Sequence, residues 1–569
     1  MVSFGRTGLK EFSGLGFIDV REPFYKEWPQ VPLKAQVSKT IKRVTTSLLD
    51  VLVDTLFHFE AQPMLVQGNF APVEEIGEAV KISCIEGEIP MGFPEGVYIR
   101  NGGNFLFGQN TATVSIFGRS SFVWVEGEGM LHAMYFNKDY KGTWCISYKN
   151  KYVESDSFKI EKARNRPTFL PATLGYSPAV LMGALLNQAS QIFLLMRFGM
   201  INKDLTNTSV FEHGGRVFAI AENHLPYEIE LSDLNTLNTW DINGAWDRPF
   251  TSHPKRDPLT GEMVIMGVDA KKPYYVIGVI SADGKNLVHK ADLKFERNSF
   301  PHELGITKNF NVIMDYPFTF DRRRLINGGP FLKFEHDQPA RIGVMPRYGD
   351  AASIAWFDVQ THCSFHIINS FEDGDEVVIR GCRANGAVFP GPDLGINIHE
   401  WYSRAFSPIR KDAEGFDPSI DSILLTRAYE WRLNMKNVSM DFPVINDNFV
   451  CLAKYNMFAK LHFEELGASH LQKGGKKRIK VEYHRLEKNE FCDGVVFVAR
   501  PGSTEEDDGW ILCFIHNENT NTSHVHMIDA KKFEGAPVAK IKIPHRVPYG
   551  FHGSFLKEPR ASSQMPCLL

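Results

Sequence analysis

The chain has 569 residues, is 43% hydrophobic and 23% charged, and carries a formal net charge of −4. Such a balance fits a globular protein with a sizeable core and argues against a nucleic-acid partner, which would call for a basic face. Its 43 Phe outnumber its 17 Tyr and 9 Trp, so the aromatic surplus is apolar, suited to a large core and leaving room for a tunnel that takes a long apolar ligand.

From the N-terminus, residues 1–36 show little periodicity. They include Glu11, Asp19, Glu22 and Glu27, acids that sit badly in an organelle transit peptide, and no signal-peptide pattern opens the chain. Within an N-terminal extension spanning 1–68, Ile41, Val44, Leu48, Val51, Leu52, Thr55, Leu56 and Phe59 recur at helical spacing. The spacing predicts an amphipathic helix over 39–59, packed on the body or resting on a membrane surface. A second apolar segment, 177–201, is interrupted by Asn187, Gln188, Ser190 and Gln191. It therefore reads as a buried or interfacial helix and not as a membrane span.

Most of the remainder reads as short strands between Gly, Asn, Asp and Pro clusters. Examples are Gly96–Arg100, Val217–Ile220, Val264–Met266, Tyr274–Ile280, Val312–Met314, Ser353–Phe357, Glu376–Ile379, Val495–Val498 and Trp510–Ile515. Residues 383–425 are loop-like, with Gly386, Pro390, Gly391 and Pro392, and a helix is expected around His399–Phe406. So many strands imply a large antiparallel all-β architecture, and a propeller disposes of them without long exposed edges. No clean repeat gives a blade number. The eight cysteines form no Cys-x-x-Cys pair, as expected of a reducing compartment.

Four histidines stand in distinct local settings: His253 before Pro254, His302 after Pro301, His366 after Phe365, and His552 after the turn Pro548-Tyr-Gly-Phe551. Proline and turn residues fix the backbone and so aim a ring. Four imidazoles without a carboxylate leave a metal its full charge, and an octahedral ion keeps two open positions, which suits Fe(II) that must take dioxygen. Glu222 and Asp441 are candidate partners for the second ring nitrogens. By residue type alone, His132, His362, His516 and His545 compete equally for the site.

Longer motifs narrow that choice. They include Trp124-Val-Glu-Gly-Glu-Gly-Met-Leu-His132, His253-Pro-Lys-Arg-Asp-Pro258, Ala340-Arg-Ile-Gly-Val-Met-Pro-Arg347, Tyr429-Glu-Trp-Arg-Leu433 and Val547-Pro-Tyr-Gly-Phe-His552. With these the chain resembles the plant carotenoid cleavage dioxygenases, from about Asn69 to Phe555. The resemblance implies a seven-bladed β-propeller with a helical dome over the iron-bearing face, as one catalytic domain over 69–569. Segment 177–201 would belong to the dome, and 383–425 would be an insertion between blades. It implies Fe(II) held by His253, His302, His366 and His552, with dioxygen as co-substrate, cleaving a conjugated double bond to two carbonyls.

The same resemblance assigns supporting carboxylates to Glu222 and Asp441. A third would fall at Gly494, which has no side chain, leaving Asp493 or a water to stand in. The turn Asn101-Gly-Gly-Asn-Phe105 lacks the family's prolines and is expected to be looser. Phe300 and Phe365 would line the substrate pocket, and the Thr208 methyl would shield one coordination position. An apolar polyene substrate, a membrane surface as partner, a monomeric state and a plastid location, with cytoplasm as the alternative, complete the expectation. The divergent motifs look most like the zaxinone synthase branch, acting on an apocarotenal at the 13,14 double bond. A stilbene-cleaving oxygenase and a carotenoid-binding protein without catalysis are the alternatives.

Overall fold

β-Branched and aromatic runs punctuated by Gly, Asn and Asp turns make strands throughout the described residues. A computed structural model describes residues 49–61, 68–188, 201–384, 386, 426–437, 439–441, 444–450, 457–462 and 480–557. The strands pair with their neighbours in sequence. Ser209–His213, Arg216–Ile220, Tyr227–Glu230 and Asn235–Thr239 form one antiparallel sheet, and Lys255–Arg256, Met263–Val268, Tyr275–Ile280 and Leu287–Asp292 form the next. Gly305–Ile306, Phe310–Asp315, Ala340–Pro346 and Ala355–Val359 follow. After them Cys363–Asp373, Glu376–Ala384, Thr426–Asn434 and Ser439–Asp441 pair in order.

Two further sheets mix the ends of the chain. Glu490–Ala499, Gly509–Asn517, Thr522–Asp529 and Ala539–Lys542 are extended by the early strand Ile85–Gly87. The late strand Gly553–Leu556 pairs with Gly96–Gly103, which continues into Gly129–Lys138, Trp144–Tyr152 and Val80–Lys81. These six sheets are accompanied by two two-stranded pairs, Phe318–Phe320 with Leu332–Phe334 and Met457–His462 with Lys480–Arg485, so the described strands by themselves do not make seven full blades. Tyr275–Ile280 is buried along its whole length. That pattern belongs to a sheet covered on both faces.

A smaller dome is bonded to these sheets, Asp156 N–H donating to Tyr227 Oη at 3.1 Å. It holds the helices Asp156–Arg164 and Ser177–Gln188 and a sheet of Phe57–Glu60, Ala112–Ser115, Gly118–Ser121 and Leu174–Gly175. The helix expected over 39–59 is found at 49–56, its earlier part lying outside the described residues. It stops where Phe57–Glu60 becomes a strand paired with Ala112–Ser115. Phe57 turns inward there and His58 outward, an alternation that a helix would not give. Val53, Phe57, Leu170 and Leu186 form the dome's core. Asp54 of the helix pairs with Arg166 at 2.8 Å and Asp50 with Arg164, which ties the acidic side to the end of the Asp156–Arg164 helix. Val51 is left 64% exposed.

Of segment 177–201, the first twelve residues form the helix Ser177–Gln188, burying Ala179, Val180, Gly183 and Leu186. Residues 189–200 lie outside the described residues, as do the helix expected at 399–406 and nearly all of the 383–425 insertion. Among the described residues no helix is long and apolar enough to cross a membrane. Residues Ala351–Ser353 form a short 3-10 turn capped by Asp350, so the strand expected from Ser353 starts at Ala355.

Candidate metal centre

Four sheets each contribute an outer strand that leads to one point. His253 stands two residues before Lys255–Arg256, His302 three before Gly305–Ile306, and His552 directly before Gly553–Leu556. His366 lies inside Cys363–Asp373, within the first of two register shifts, at Ser364/Ile367 and Ile367/Asn369. A bulge of that kind re-aims a side chain that regular pleating would send elsewhere.

The four rings converge, each offering one nitrogen within 4.8 Å of the others. The Nε2 atoms of His253 and His302 are 2.9 Å apart. Two donors at right angles around a divalent ion, each about 2.1 Å away, would be about 3 Å apart, so the pair fits adjacent positions on one ion. The His253 ring stands 68–88° from the planes of the other three, with centroids 4.5–5.1 Å away. Burial and the neighbouring rings push the His253 imidazole well below its ordinary range, and the same causes bring His552 down to about 3. Both are therefore neutral near pH 7, the form that binds metal. The donor set fits iron or another imidazole-binding transition ion.

Two of the rings are held by carboxylates. His302 Nδ1 donates to Glu222 Oε1 at 2.5 Å, and Ser252 donates to the same oxygen. Burial opposes the charge on Glu222, but His302 and Ser252 outweigh it and lower its pKa. His366 Nδ1 donates to Glu303 Oε2 at 3.1 Å, which also accepts the Ile367 N–H at 2.9 Å. Lys255 Nζ pairs with the other oxygen of Glu303. Burial again opposes ionisation, yet the His366 hydrogen bond and the Lys255 charge bring the Glu303 carboxyl down to about 2. One ion pair thus joins the segments of His253, His302 and His366.

Glu303 and Lys255 did not emerge from the sequence as candidates. The signal was an acid directly after one candidate histidine and a cation two residues after another. Asp441 lies in the strand Ser439–Asp441, its backbone opposite Arg432, and its side chain is outside the described residues. Glu303 occupies the place at His366 that a carboxylate partner would take.

Neither His253 nor His552 has a carboxylate on its ring among the described residues. Asp493 was a candidate stand-in at Gly494, but its Oδ2 accepts from Arg100 Nη1 at 3.1 Å and from the Gly550 N–H at 2.7 Å, not from a histidine. The turn at 101–105 is also not loose. Asn101 Nδ2 donates to Thr206 O at 2.6 Å, and the Asn104 side chain both accepts from Val73 N–H at 2.8 Å and donates to Val73 O at 2.9 Å.

Phe365 stacks on His302 with centroids 4.8 Å apart and planes 23° from parallel, and Phe300 lies one ring further out, 6.2 Å from Phe365. Thr208 is buried beside the cluster, its carbonyl accepting the His552 N–H at 3.2 Å. The competing histidines go elsewhere: His132 bonds Tyr148 at 2.8 Å, His362 the Gln360 carbonyl at 2.8 Å, and His516 Ser523 at 3.0 Å.

Comparison with known proteins decides the family. The model of the family described as retinal pigment epithelial membrane protein matches residues 70–557. A carotenoid 9,10(9',10')-cleavage dioxygenase of Crocus sativus is 30% identical, covering 94% of this chain and 96% of that protein. The chain belongs to the carotenoid cleavage dioxygenase family. A second member, carotenoid 9,10(9',10')-cleavage dioxygenase 1 of Pisum sativum, is 29% identical over 91% of this chain and 94% of its own length. A probable carotenoid cleavage dioxygenase 4, chloroplastic, of Arabidopsis thaliana is 27% identical over 93% of this chain and 87% of its own. Among solved structures, the lignostilbene dioxygenase of Pseudomonas brassicacearum superposes with a TM-score of 0.65 at 20% identity, covering 88% of this chain and 100% of that one. A Synechocystis apocarotenoid oxygenase mutant gives 0.62 at 19%, covering 88% and 98%. The fold is accordingly that of the family's propeller-type oxygenases, and the chain is a dioxygenase.

Proposed function

We propose that this dioxygenase holds Fe(II) on His253, His302, His366 and His552 and oxidatively cleaves one conjugated double bond of an apolar polyene. The observation that carries this reading is the convergence of four imidazoles from four sheets. When bound, the iron supplies the dioxygen chemistry that splits the alkene into two carbonyls. The protein's own contribution is position. Glu222 and Glu303 fix the rotation and tautomer of His302 and His366. Phe365 and Phe300 form an apolar wall against which a polyene lies, and Thr208 packs beside His552. In this reading residues 69–569 act as one catalytic domain, and the blade count is the family's seven.

For the substrate we favour an apocarotenal cleaved at the 13,14 double bond, on the strength of the divergent motifs, although two of the plant relatives named above are called 9,10(9',10') enzymes. The membrane is the proposed source of substrate. Val51 and Leu52 of the 49–56 helix are exposed, as are Tyr176 and Leu185 at the Ser177–Gln188 helix, while the acids of the first helix are tied down by arginines. A monomer in the plastid is the companion proposal, with cytoplasm as the alternative. A second reading, stilbene cleavage, is favoured by the likeness to the lignostilbene dioxygenase.

One experiment separates these readings. Iron-loaded protein is given a panel of apocarotenals, full-length carotenoids and a phenolic stilbene, with oxygen uptake and product masses recorded. The two carbonyl products of 13,14 scission of an apocarotenal, a ketone from the methyl-bearing carbon and an aldehyde from the other, are expected. Turnover of the stilbene alone would reassign the substrate, and iron binding with no uptake on any of them would sink the enzyme reading.

A further inference from the structure

The His552 ring has no carboxylate among the described residues, yet its backbone is hydrogen-bonded through both its N–H and its carbonyl. Its N–H donates to Thr208 O at 3.2 Å and its carbonyl accepts from Asn101 N–H at 3.2 Å. One residue earlier, Phe551 N–H donates to Asn101 O at 2.9 Å, and Tyr549 N–H donates to Asn69 O at 3.1 Å. The remaining donor of that turn, Gly550 N–H, points at Asp493 Oδ2 at 2.7 Å. The same oxygen takes Arg100 Nη1 at 3.1 Å, and Arg100 is wholly buried in the strand opposite Gly553.

Two glycines are built around this contact. A Cβ on Gly550 would collide with the Arg100 guanidinium. Gly494 has φ +62°, and a Cβ there would lie 2.6 Å from Arg100 Cγ. Tyr98 Oη donates to the Gly494 carbonyl at 2.6 Å, which fixes the irregular pairing between Asp493 and Val496. A side chain at 494 has no room, and the carboxylate stands one position earlier, aimed at the turn and not at a ring.

Resting on the proposed role of His552 as a metal ligand, we propose that Asp493, braced by Arg100, is a positioning residue that sets the His552 ring through the Gly550 N–H. A carboxylate that elsewhere would orient a ring directly here orients the peptide that carries it. Hydrogen bonds to a carboxyl oxygen that also faces a guanidinium are shorter and stronger than neutral ones, so the Arg100–Asp493 pair is suited to freezing a peptide plane.

The test uses the full chain loaded with Co(II), whose visible spectrum reports ligand geometry. Asp493→Asn keeps the shape and loses the charge. It is expected to weaken Co(II) affinity by about tenfold to a hundredfold, the usual range for groups that orient metal ligands, and to shift the Co(II) bands. Asp493→Glu should recover part of the affinity. Arg100→Lys provides a second variant, read the same way, if the first does not fold.

The matched control is Glu161→Gln. Glu161 is a buried carboxylate that likewise bridges a cation, Lys203 at 2.9 Å, and backbone N–H groups of Thr168 and Phe169 at 2.7 and 3.0 Å. It should lower thermal stability without moving the spectrum. An equal spectral shift in Glu161→Gln, or none in Asp493→Asn and Arg100→Lys, overturns the proposal. His552→Ala distinguishes the levels: if it keeps full Co(II) affinity and an unaltered spectrum, the ligand assignment has failed. If it loses both while Asp493→Asn changes nothing, only the positioning role has failed.

Discussion

On one side of the cluster, His302 and His366 are gripped at their rings by Glu222 and Glu303. On the other, His253 and His552 are held through their backbones, by Pro254 and the Thr251 hydroxyl in one case and by the Thr208, Asn101 and Gly550 contacts in the other. A ring-held imidazole is set in tautomer and rotation by a charge. A backbone-held one takes its aim from the peptide that carries it. The ring-held side therefore offers a preformed half-site, and the other side completes it.

That contrast can be broken by substitution. The largest effect is expected for His302→Ala, which removes a donor and the acceptor's partner together; metal content by elemental analysis and turnover should both be abolished. Next, Glu303→Gln and Glu222→Gln should each weaken metal affinity by about tenfold to a hundredfold, measured by chelator competition. A comparable loss in Asp441→Asn with none in Glu303→Gln would return the role at His366 to Asp441. Lys255→Met leaves Glu303 in place but removes one of its counter-charges, so a smaller loss is expected, a few-fold in affinity, and its absence would show that the ion pair is incidental.

Phe365→Leu removes the ring stacked on His302. Such contacts contribute about 1 kcal/mol, so less than tenfold in metal affinity is expected, with a larger change in KM if the ring also touches substrate.

The smallest effect separates histidines proposed to bind metal from those that are merely buried. Burial pushes His362 down to about 4 and His526 to about 3. Between those values and about 6.5 the unfolded chain takes up protons that the folded chain refuses, so stability is full at higher pH and falls with acid. From pH 7 to pH 6 the loss is about 0.7 kcal/mol for each. Urea midpoints should show this slope with or without saturating metal; a slope that metal abolishes would place its origin in the cluster.

Strands were readable because their evidence is local. Val264–Met266 and Trp510–Ile515 declare themselves by composition, and their partners are mostly the next strands along. The helix over 39–59 was overextended because Phe59 fits helical spacing as well as strand alternation, and only pairing with Ala112–Ser115 decides. The four histidines became legible through long motifs and not through spacing. Glu303 was passed over because it adjoins His302 while serving His366, 63 positions away in the chain. The Arg100–Asp493 contact spans 393 positions, a separation at which sequence carries no geometric signal.

The pairing of Gly553–Leu556 with Gly96–Gly103 sets an order on biosynthesis. His552 enters the cluster only when the last strand docks against one of the first. A chain still emerging, or cut short before Val547, holds three imidazoles and no finished site. On the proposed ligand set, metal capture is thereby tied to the docking of that last strand.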